Sequence, residues 1–199
     1  LTIALLSGGA VPRRLAADLE RARGAAQIEL AQAVLQDEAE LQHYLDGAGR
    51  AVASLALAEA ADDDASLERF AGGCGRAIRL VEIARDLRRD AWRGRVFLPW
   101  AWVEEASLGL EELRSGSREP DLARLVGRAA ALARSSWAEA QDAAPGTGTA
   151  LRRPLQVLGE LHLALLDRIT RPGFAAAPEP LELPPLSRLF IAWRAARRT

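Results

Sequence analysis

The sequence lacks the residues that would mark several common classes of protein. It has a single cysteine among its 199 residues, which excludes an intramolecular disulfide and is typical of a reducing compartment. The net charge of −1 gives no basic excess, so a nucleic-acid partner is not expected. No apolar run is long enough to cross a bilayer, and no secretory signal is recognisable. We therefore expect a cytoplasmic protein, with peripheral membrane contact left open.

Methionine is absent as well, and the chain begins with Leu1. Because a native start would show methionine, we expect the chain to be part of a longer protein. Nothing in the sequence indicates the oligomeric state.

Alanine, leucine, arginine and glutamate dominate the composition, whereas β-branched residues are sparse. This favours helix over strand almost everywhere, and a hydrophobic content of 49% is enough for one domain with a core. We predict a single all-α domain over residues 1–199, a bundle of about seven or eight helices. The predicted helices span residues 13–23, 28–35, 37–60, 67–92, 100–110, 122–140, 151–170 and 187–198.

Two local signals refine this helical assignment. Asp37 and Glu40 have the spacing of a capping box at a helix start. Gly72, Gly73 and Gly75 fall inside the longest predicted helix, where glycine is costly. They predict close packing of that helix against a neighbour or a ligand.

One face of the helix predicted over 67–92 carries a row of charged residues. At roughly 100° per residue, Arg79, Glu82, Asp86 and Asp90 fall within about 80° of one another. Asp86 and Asp90 stand one turn apart, so their carboxylates repel each other unless a cation lies between them or both are solvated. The plain alternative is a solvated face with ordinary surface ion pairs, each worth little.

The carboxylate pair also has the chemistry of a magnesium site. Hard divalent cations take oxygen ligands, and Mg²⁺ commonly joins one or two carboxylates to phosphate oxygens. Nearby arginines are placed to hold the same phosphates through charge-assisted hydrogen bonds; they are Arg85, Arg93 and Arg95. The functional alternative to a solvated face is therefore a site for Mg²⁺ and phosphate.

The segment from Arg85 to Pro99, RDLRRDAWRGRVFLP, resembles the aspartate-rich helix of the squalene/phytoene synthase family. The family pattern is Q-x-x-N-x-x-R-D-x-x-x-D-x-x-R-G-R-x-[YF]-L-P, and the match is uninterrupted from Arg85 onwards. Tyr44 and Val52 are similar to the tyrosine and the valine of the family's tyrosine-led helix. The resemblance covers most of the chain, from residue 12 to residue 198.

The resemblance implies an isoprenoid-synthase-like helical bundle around a central cavity, with two aspartate-rich helices facing each other. It implies a Mg²⁺-dependent prenyltransferase that condenses two prenyl diphosphates, farnesyl or geranylgeranyl, head to head and releases diphosphate. Asp86 and Asp90 would be catalytic metal ligands, with Glu82 as a further ligand and Tyr44 as a catalytic residue lining the cavity. The same resemblance implies that Arg85 and Arg93 bind the diphosphate or support its ligands, and Arg95 and Arg79 are predicted to bind substrate as well.

The sequence departs from the family pattern at several points. Arg79 stands in place of the family's glutamine, Glu82 in place of its asparagine, and Ala53 in place of a glycine. A first aspartate-rich motif is absent from residues 1–36, where Asp18 is the only aspartate. Either the helices that carry it lie outside this chain, or the chain is a non-catalytic relative. Such a relative would act as a protein-assembly factor or as a helical module that binds a lipid or a partner.

The remaining candidate groups favour structural roles. His43 and His162 are single and far apart in sequence, so each is predicted to be a packed or surface histidine. The acidic run 62–64 precedes a helix start, where capping and the helix dipole explain it. Cys74 is predicted to be a small core residue rather than a nucleophile. The C-terminal arginines are predicted to lie on a solvated face, with contact to anionic lipid as the alternative.

Overall fold

The chain folds into helices. The structure is a computed structural model, and it describes residues 13–31, 34–56, 65–144, 149–173 and 180–198. The helices are α1 (Arg13–Leu30), α2 (Glu38–Leu45), α3 (Val52–Ala56), α4 (Ala65–Trp92), α5 (Trp100–Glu105), α6 (Leu110–Ser115), α7 (Glu119–Ala143), α8 (Thr149–Ile169) and α9 (Pro185–Arg198). A π-helical turn over Asp46–Ala51 joins α2 to α3. Within the described ranges the only β pairing is an isolated parallel bridge between Val34 and Val96. The prediction of an all-α fold is confirmed.

Helix α4 is the element around which the other helices pack. It is 28 residues long, and its most extensive contacts are with α7, α8 and the π-helical turn. On its apolar side Leu80, Val81 and Leu87 join Leu41 and Leu45 of α2 in the main core, each of them at most 4% exposed. The charged row runs alongside this apolar side, so the packing of α4 decides which groups the row meets.

Glycines of α4 allow neighbouring backbones to approach closely. A Cβ on Gly75 would lie 2.3 Å from the carbonyl oxygen of Gly49 in the π-helical turn. A Cβ on Gly73 would lie 2.6 Å from the carbonyl oxygen of Ser136 in α7. Both distances are too short for a side chain, so the close packing predicted from these glycines is packing against the protein itself.

Helix α1 runs without the break predicted near Gly24. The sequence predicts separate helices over 13–23 and 28–35, whereas α1 is a single helix that ends at Leu30. A Cβ on Gly24 would meet nothing within 4 Å, and the next residue, Ala25, is 4% exposed against the π-helical turn. Burial of this face offsets the intrinsic helix cost of the glycine, which is about 1 kcal/mol.

Two further helix boundaries differ from the prediction. The helix predicted over 37–60 contains the π-helical turn, and residues 57–60 and the acidic run 62–64 lie outside the described residues. The helix predicted over 100–110 is divided into α5 and α6 near Ser107, whose φ of 53° is left-handed and incompatible with a continuous helix.

The start of α2 is capped largely as the sequence predicts. Asp37 Oδ1 accepts a hydrogen bond from the backbone N–H of Glu40 at 2.9 Å. The Glu40 carboxylate accepts in return from the backbone N–H of Gln36 at 2.7 Å. The reciprocal bond of the capping box therefore goes to the residue before the cap rather than to the cap itself.

The close contact at Gly75 predicts a large loss of stability in the variant Gly75→Ala. The added Cβ has no room beside the Gly49 carbonyl group, so we expect the free energy of unfolding to fall by about 1–3 kcal/mol. Gly127→Ala in α7 is the matched control, because its Cβ would meet nothing within 4 Å and alanine favours a helix interior by about 1 kcal/mol. Urea unfolding measures both variants, and equal midpoints would contradict this packing.

Candidate active site

The end of α4 holds two arginines close in sequence to Asp90. Gly94 has a φ of 74°, a left-handed conformation that favours glycine after a helix end. The backbone N–H groups of Arg93 and Arg95 turn back as a result, and each donates to the carbonyl oxygen of Asp90 at 2.9 Å. The side-chain Nε of Arg95 is buried and has no hydrogen-bond partner among the described residues. The segment that ends the helix thus contains a buried guanidinium nitrogen whose hydrogen bond is unmade within the described residues.

Asp86 is buried and is held by two arginines. It is 5% exposed, and Arg85 Nε and Nη2 donate to its two carboxylate oxygens at 2.8 and 2.7 Å. Arg89 Nη2 lies 2.5 Å from Oδ2 of the same carboxylate. The hydrogen bond to Asp86 is the main reason that the pKa of Arg85 is raised. The charge of Asp86 is therefore compensated by guanidinium groups of its own helix.

Asp90, one turn further along α4, lies in a different electrostatic environment. Burial raises the pKa of its carboxyl group, and the neighbouring charge of Asp86 raises it further. Three arginines act in the opposite direction without cancelling the effect; they are Arg89, Arg79 and Arg93. The pKa of Asp90 is therefore raised although three arginines lie nearby, and an added cation would lower it.

Arg79, the first residue of the charged row, is the centre of a hydrogen-bond network. Its Nε donates to the Tyr44 hydroxyl at 2.9 Å, its Nη2 to Glu29 Oε1 at 2.7 Å and its Nη1 to Glu82 Oε2 at 3.0 Å. The Tyr44 hydroxyl in turn donates to Glu29 Oε1 at 2.6 Å. One guanidinium thus links α1, α2 and α4, and the Tyr44 side chain at its centre is fully buried.

Burial and charge set the protonation states in this network. Burial raises the pKa of Tyr44 well above its ordinary value, so the phenol keeps its proton at neutral pH. Burial by itself would lower the pKa of Arg79, but the interactions with Tyr44, Glu82 and Glu29 outweigh it and raise that pKa. Arg79 is therefore a permanent cation inside the network.

His162 of α8 faces the same row. Its Nε2 lies 3.8 Å from Glu82 Oε1, and its Nδ1 lies 2.7 Å from the carbonyl oxygen of Leu158. A cavity of about 230 Å³ is bordered by His162, Arg85 and Arg188. Its other lining residues are Leu161, Leu165, Leu181, Glu182 and Leu183. A largely apolar cavity with two arginines in its wall therefore lies beside His162, the neighbour of Glu82.

The carboxylate pair has the chemistry of a magnesium site that takes its remaining ligands from phosphate and water. Asp86 and Asp90 supply carboxylates one turn apart, and Mg²⁺ usually takes one or two carboxylates together with phosphate oxygens and water. Glu82, the third predicted ligand, has its carboxylate paired with Arg79. The described residues contain no group of three or more histidine, cysteine or acidic side chains arranged to hold an ion by themselves. A metal ion at this site would depend on the phosphate for most of its ligands.

Two residues of the site were not predicted from the sequence. Arg89 follows Asp86 by three positions, a helical spacing that favours ion pairs and that would have been readable. Glu29 lies 50 positions from Arg79, on another helix, and carries no local signal. The catalytic, ligand and substrate-binding roles assigned to the row and to Tyr44 stay predictions.

Comparison with known proteins identifies the family. The family model described as squalene/phytoene synthase matches residues 9–189. The chain belongs to the squalene/phytoene synthase family. The resemblance seen in the aspartate-rich helix is thus confirmed over most of the chain.

Two curated relatives of this chain are named as bifunctional proteins. The bifunctional lycopene cyclase/phytoene synthase of Leptosphaeria maculans is 30% identical over 114 residues, which cover 57% of this chain and 20% of that protein. The protein of the same name from Colletotrichum graminicola is 29% identical over 116 residues, with the same coverage of both chains. The match therefore spans about a fifth of the length of these relatives.

Two solved structures share the fold. A dehydrosqualene synthase in complex with ligand has a TM-score of 0.78 at 14% identity, over 92% of this chain and 64% of that one. The squalene synthase HpnC from Alicyclobacillus acidocaldarius has a TM-score of 0.69 at 20% identity, over 82% of this chain and 61% of that one. These likenesses establish the isoprenoid-synthase-like helical fold predicted from the sequence.

The raised pKa of Asp90 predicts a pH-dependent gain of stability in the variant Asp90→Asn. The folded protein holds the Asp90 proton more strongly than the unfolded chain does, so the ionised carboxylate opposes folding. We expect Asp90→Asn to unfold at higher urea concentration than the wild type at pH 7. This advantage should shrink as the pH falls through the raised pKa and vanish below the ordinary aspartate value of about 4.

Asp121→Asn is the control of opposite sign. Asp121 pairs with Arg124 and Arg118, and the hydrogen bond from Arg124 is the main reason that its pKa is lowered. Its ionised form therefore favours folding, and its removal should lower the urea midpoint at pH 7. A stability loss in both variants at pH 7 would show that the electrostatic description of Asp90 is wrong.

Proposed function

We propose that this chain contributes one aspartate-rich half of the active site in a prenyltransferase of the squalene/phytoene synthase type. The reaction is the Mg²⁺-dependent, head-to-head condensation of two prenyl diphosphates, farnesyl or geranylgeranyl, with release of diphosphate. The observation that carries the proposal is the carboxylate pair of Asp86 and Asp90 on α4. The pair combines oxygen ligands one turn apart with arginines on either side.

The arginines of the site suit a diphosphate that departs as an anion. Arg93 is exposed beyond the last turn of α4, and Arg95 keeps a buried Nε without a partner among the described residues. A planar guanidinium binds phosphate oxygens through paired, charge-assisted hydrogen bonds. Mg²⁺, with Asp86 and Asp90 as its proposed ligands, would supply further neutralisation of the charge that develops on the diphosphate.

Loss of diphosphate breaks the bond between carbon and oxygen and leaves an allylic cation on the first prenyl chain. Both electrons of that bond leave with the diphosphate. A double bond of the second prenyl chain then attacks the cation, and transfer of a proton from the adduct to the departed diphosphate gives a cyclopropyl intermediate. The Tyr44 side chain is fully buried, and its protonated hydroxyl donates to Glu29 and does not act as a base. Apolar walls are needed because water would otherwise capture the cation.

A second candidate function is that of a non-catalytic family member that binds a partner protein or a lipid. The observation in its favour is that internal cations already compensate part of the row. Arg85 and Arg89 hold Asp86, and Arg79 holds Glu82. A bundle with its carboxylates compensated in this way would keep its fold without metal or diphosphate. Catalytic measurements on the intact protein distinguish the two candidates.

We expect the intact protein to release diphosphate from farnesyl or geranylgeranyl diphosphate in the presence of Mg²⁺. The variants Asp86→Asn and Asp90→Asn should lower this rate by about 100-fold or more, because each removes a charge that holds the metal against the leaving group. A coupled assay for inorganic diphosphate measures the rate. Asp167→Asn is the matched control, since Asp167 is 65% exposed and pairs only with Arg134 on the surface of α7 among the described residues.

Undiminished release by both α4 variants would remove these aspartates from the mechanism. An intact protein that neither releases diphosphate nor binds a prenyl diphosphate would favour the non-catalytic function instead.

We propose further that the protein is cytoplasmic and contacts a membrane peripherally through α9. Among the described helices, none combines the length and the apolar character needed to cross a bilayer. Helix α9, however, turns its large apolar side chains outward; Leu186, Leu189, Phe190 and Trp193 are all more than half exposed. Ala195 on its other side is fully buried, and Arg197 stacks over the Trp193 ring at 4.5 Å. Aromatic and apolar residues next to arginines suit an anionic lipid surface.

Binding to vesicles tests this contact. The double variant with Phe190→Ala and Trp193→Ala should bind anionic vesicles at least about tenfold more weakly, because two large apolar side chains are removed from the interface. Leu30→Ala is the control, since Leu30 is 82% exposed but lies on α1. Cosedimentation with vesicles that contain phosphatidylserine measures binding. Equal binding of the double variant and the wild type would exclude α9 as the contact.

A further inference from the structure

Arg79 is the residue of the charged row that forms hydrogen bonds to the neighbouring helices α1 and α2. We infer that its guanidinium serves as a fixed internal cation for Glu82, so that a divalent metal ion binds at the Asp90 end of the row and does not take Glu82 as a ligand. The inference rests on the metal site of the proposed function and narrows it. It replaces the prediction that Glu82 is a metal ligand.

Both carboxylate oxygens of Glu82 face nitrogen atoms. Oε2 accepts a hydrogen bond from Arg79 Nη1 at 3.0 Å, and Oε1 lies 3.8 Å from His162 Nε2. A metal ion bound to Glu82 would have to approach within contact distance of a permanent positive charge. Like-charge repulsion at this distance disfavours that ion, whereas the guanidinium supplies the same compensation without it.

The guanidinium is held in place by more than Glu82. It donates to Glu29 Oε1 at 2.7 Å and to the Tyr44 hydroxyl at 2.9 Å. The Tyr44 and Phe97 rings stack with centroids 5.1 Å apart, and Arg79 Cζ lies 5.2 and 5.7 Å from the two centroids. A planar cation held by hydrogen bonds on its edges and by aromatic rings nearby cannot swing away without losing all of these contacts.

The two departures from the family pattern in this helix, Arg79 and Glu82, compensate each other. Arg79 and Glu82 replace two neutral residues of the pattern, and they form a pair three positions apart. The paired change adds a positive and a negative charge that compensate each other, so the net charge of the row is conserved. The negative charge of Glu82 is therefore already compensated by Arg79 and does not require an additional metal ion.

Manganese binding by the intact protein tests this inference, with the free Mn²⁺ signal measured by electron paramagnetic resonance in the presence of inorganic diphosphate. Glu82→Gln should leave the affinity for Mn²⁺ within about twofold of the wild type, whereas Asp90→Asn should lower it at least about tenfold. Arg79→Gln should create an additional Mn²⁺ site, because it frees the Glu82 carboxylate. Adding Glu82→Gln to that variant should remove the additional site.

Arg76→Gln is the matched control on the same helix. Arg76 also lies between two carboxylates, those of Asp46 and Glu139, but these are 41% and 61% exposed, and we expect no additional Mn²⁺ site when Arg76 is removed. Circular dichroism establishes that each variant is folded. If Arg79→Gln does not fold, Glu82→Gln in the wild-type background decides the question.

Two results would overturn the inference. One is a loss of Mn²⁺ affinity in Glu82→Gln as large as that in Asp90→Asn. The other is a folded Arg79→Gln variant without an additional site. Equal binding by the wild type and Asp90→Asn would instead contradict the metal site of the proposed function, and the gain or absence of a site in Arg79→Gln would still decide the role of Arg79.

Discussion

The carboxylates of α4 stand on a partly buried helix face, and arginines of the same helix form ion pairs with Glu82 and Asp86. Asp86 receives two guanidinium groups from its own helix, Arg85 and Arg89. At the other end of the row, Arg79 compensates Glu82 and reaches across to α1. Asp90 makes no ion pair of this kind in the described residues, and burial together with the charge of Asp86 raises its pKa. The distribution of arginines thus separates a part of the row that is internally neutralised from a part that suits a metal ion.

This distribution depends on how closely α4 packs against its neighbours. The contact of Gly75 with Gly49 brings the π-helical turn against α4, and the turn continues directly from the helix that carries Tyr44. Any side chain at these glycines would push the two segments apart. The hydrogen bonds between Tyr44 and Arg79 would then lengthen, because they join the same two elements. Backbone packing at the glycines and the polar network are therefore parts of one arrangement.

Much of the candidate site was predictable from local sequence. The helical spacing of Asp86 and Asp90 placed both carboxylates on one face, and the helix ends at Trp92 as predicted, shortly before the left-handed Gly94. The glycines in α4 predicted close packing, although not whether a helix or a ligand would be the neighbour. The break predicted at Gly24 was wrong, because the burial of α1 outweighs a propensity cost of about 1 kcal/mol.

The sequence by itself determined the all-α class, the family, and the order of charged residues along α4, because these depend on composition, on a 3.6-residue repeat and on an uninterrupted motif. Only the tertiary structure decided which of those charges are already compensated. Glu29 is 50 positions from Arg79 and His162 is 80 positions from Glu82 in the printed sequence, and no local pattern joins them. Contacts of this kind arise when separate helices pack, and the electrostatic state of a half-buried carboxylate depends on them more than on its sequence neighbours.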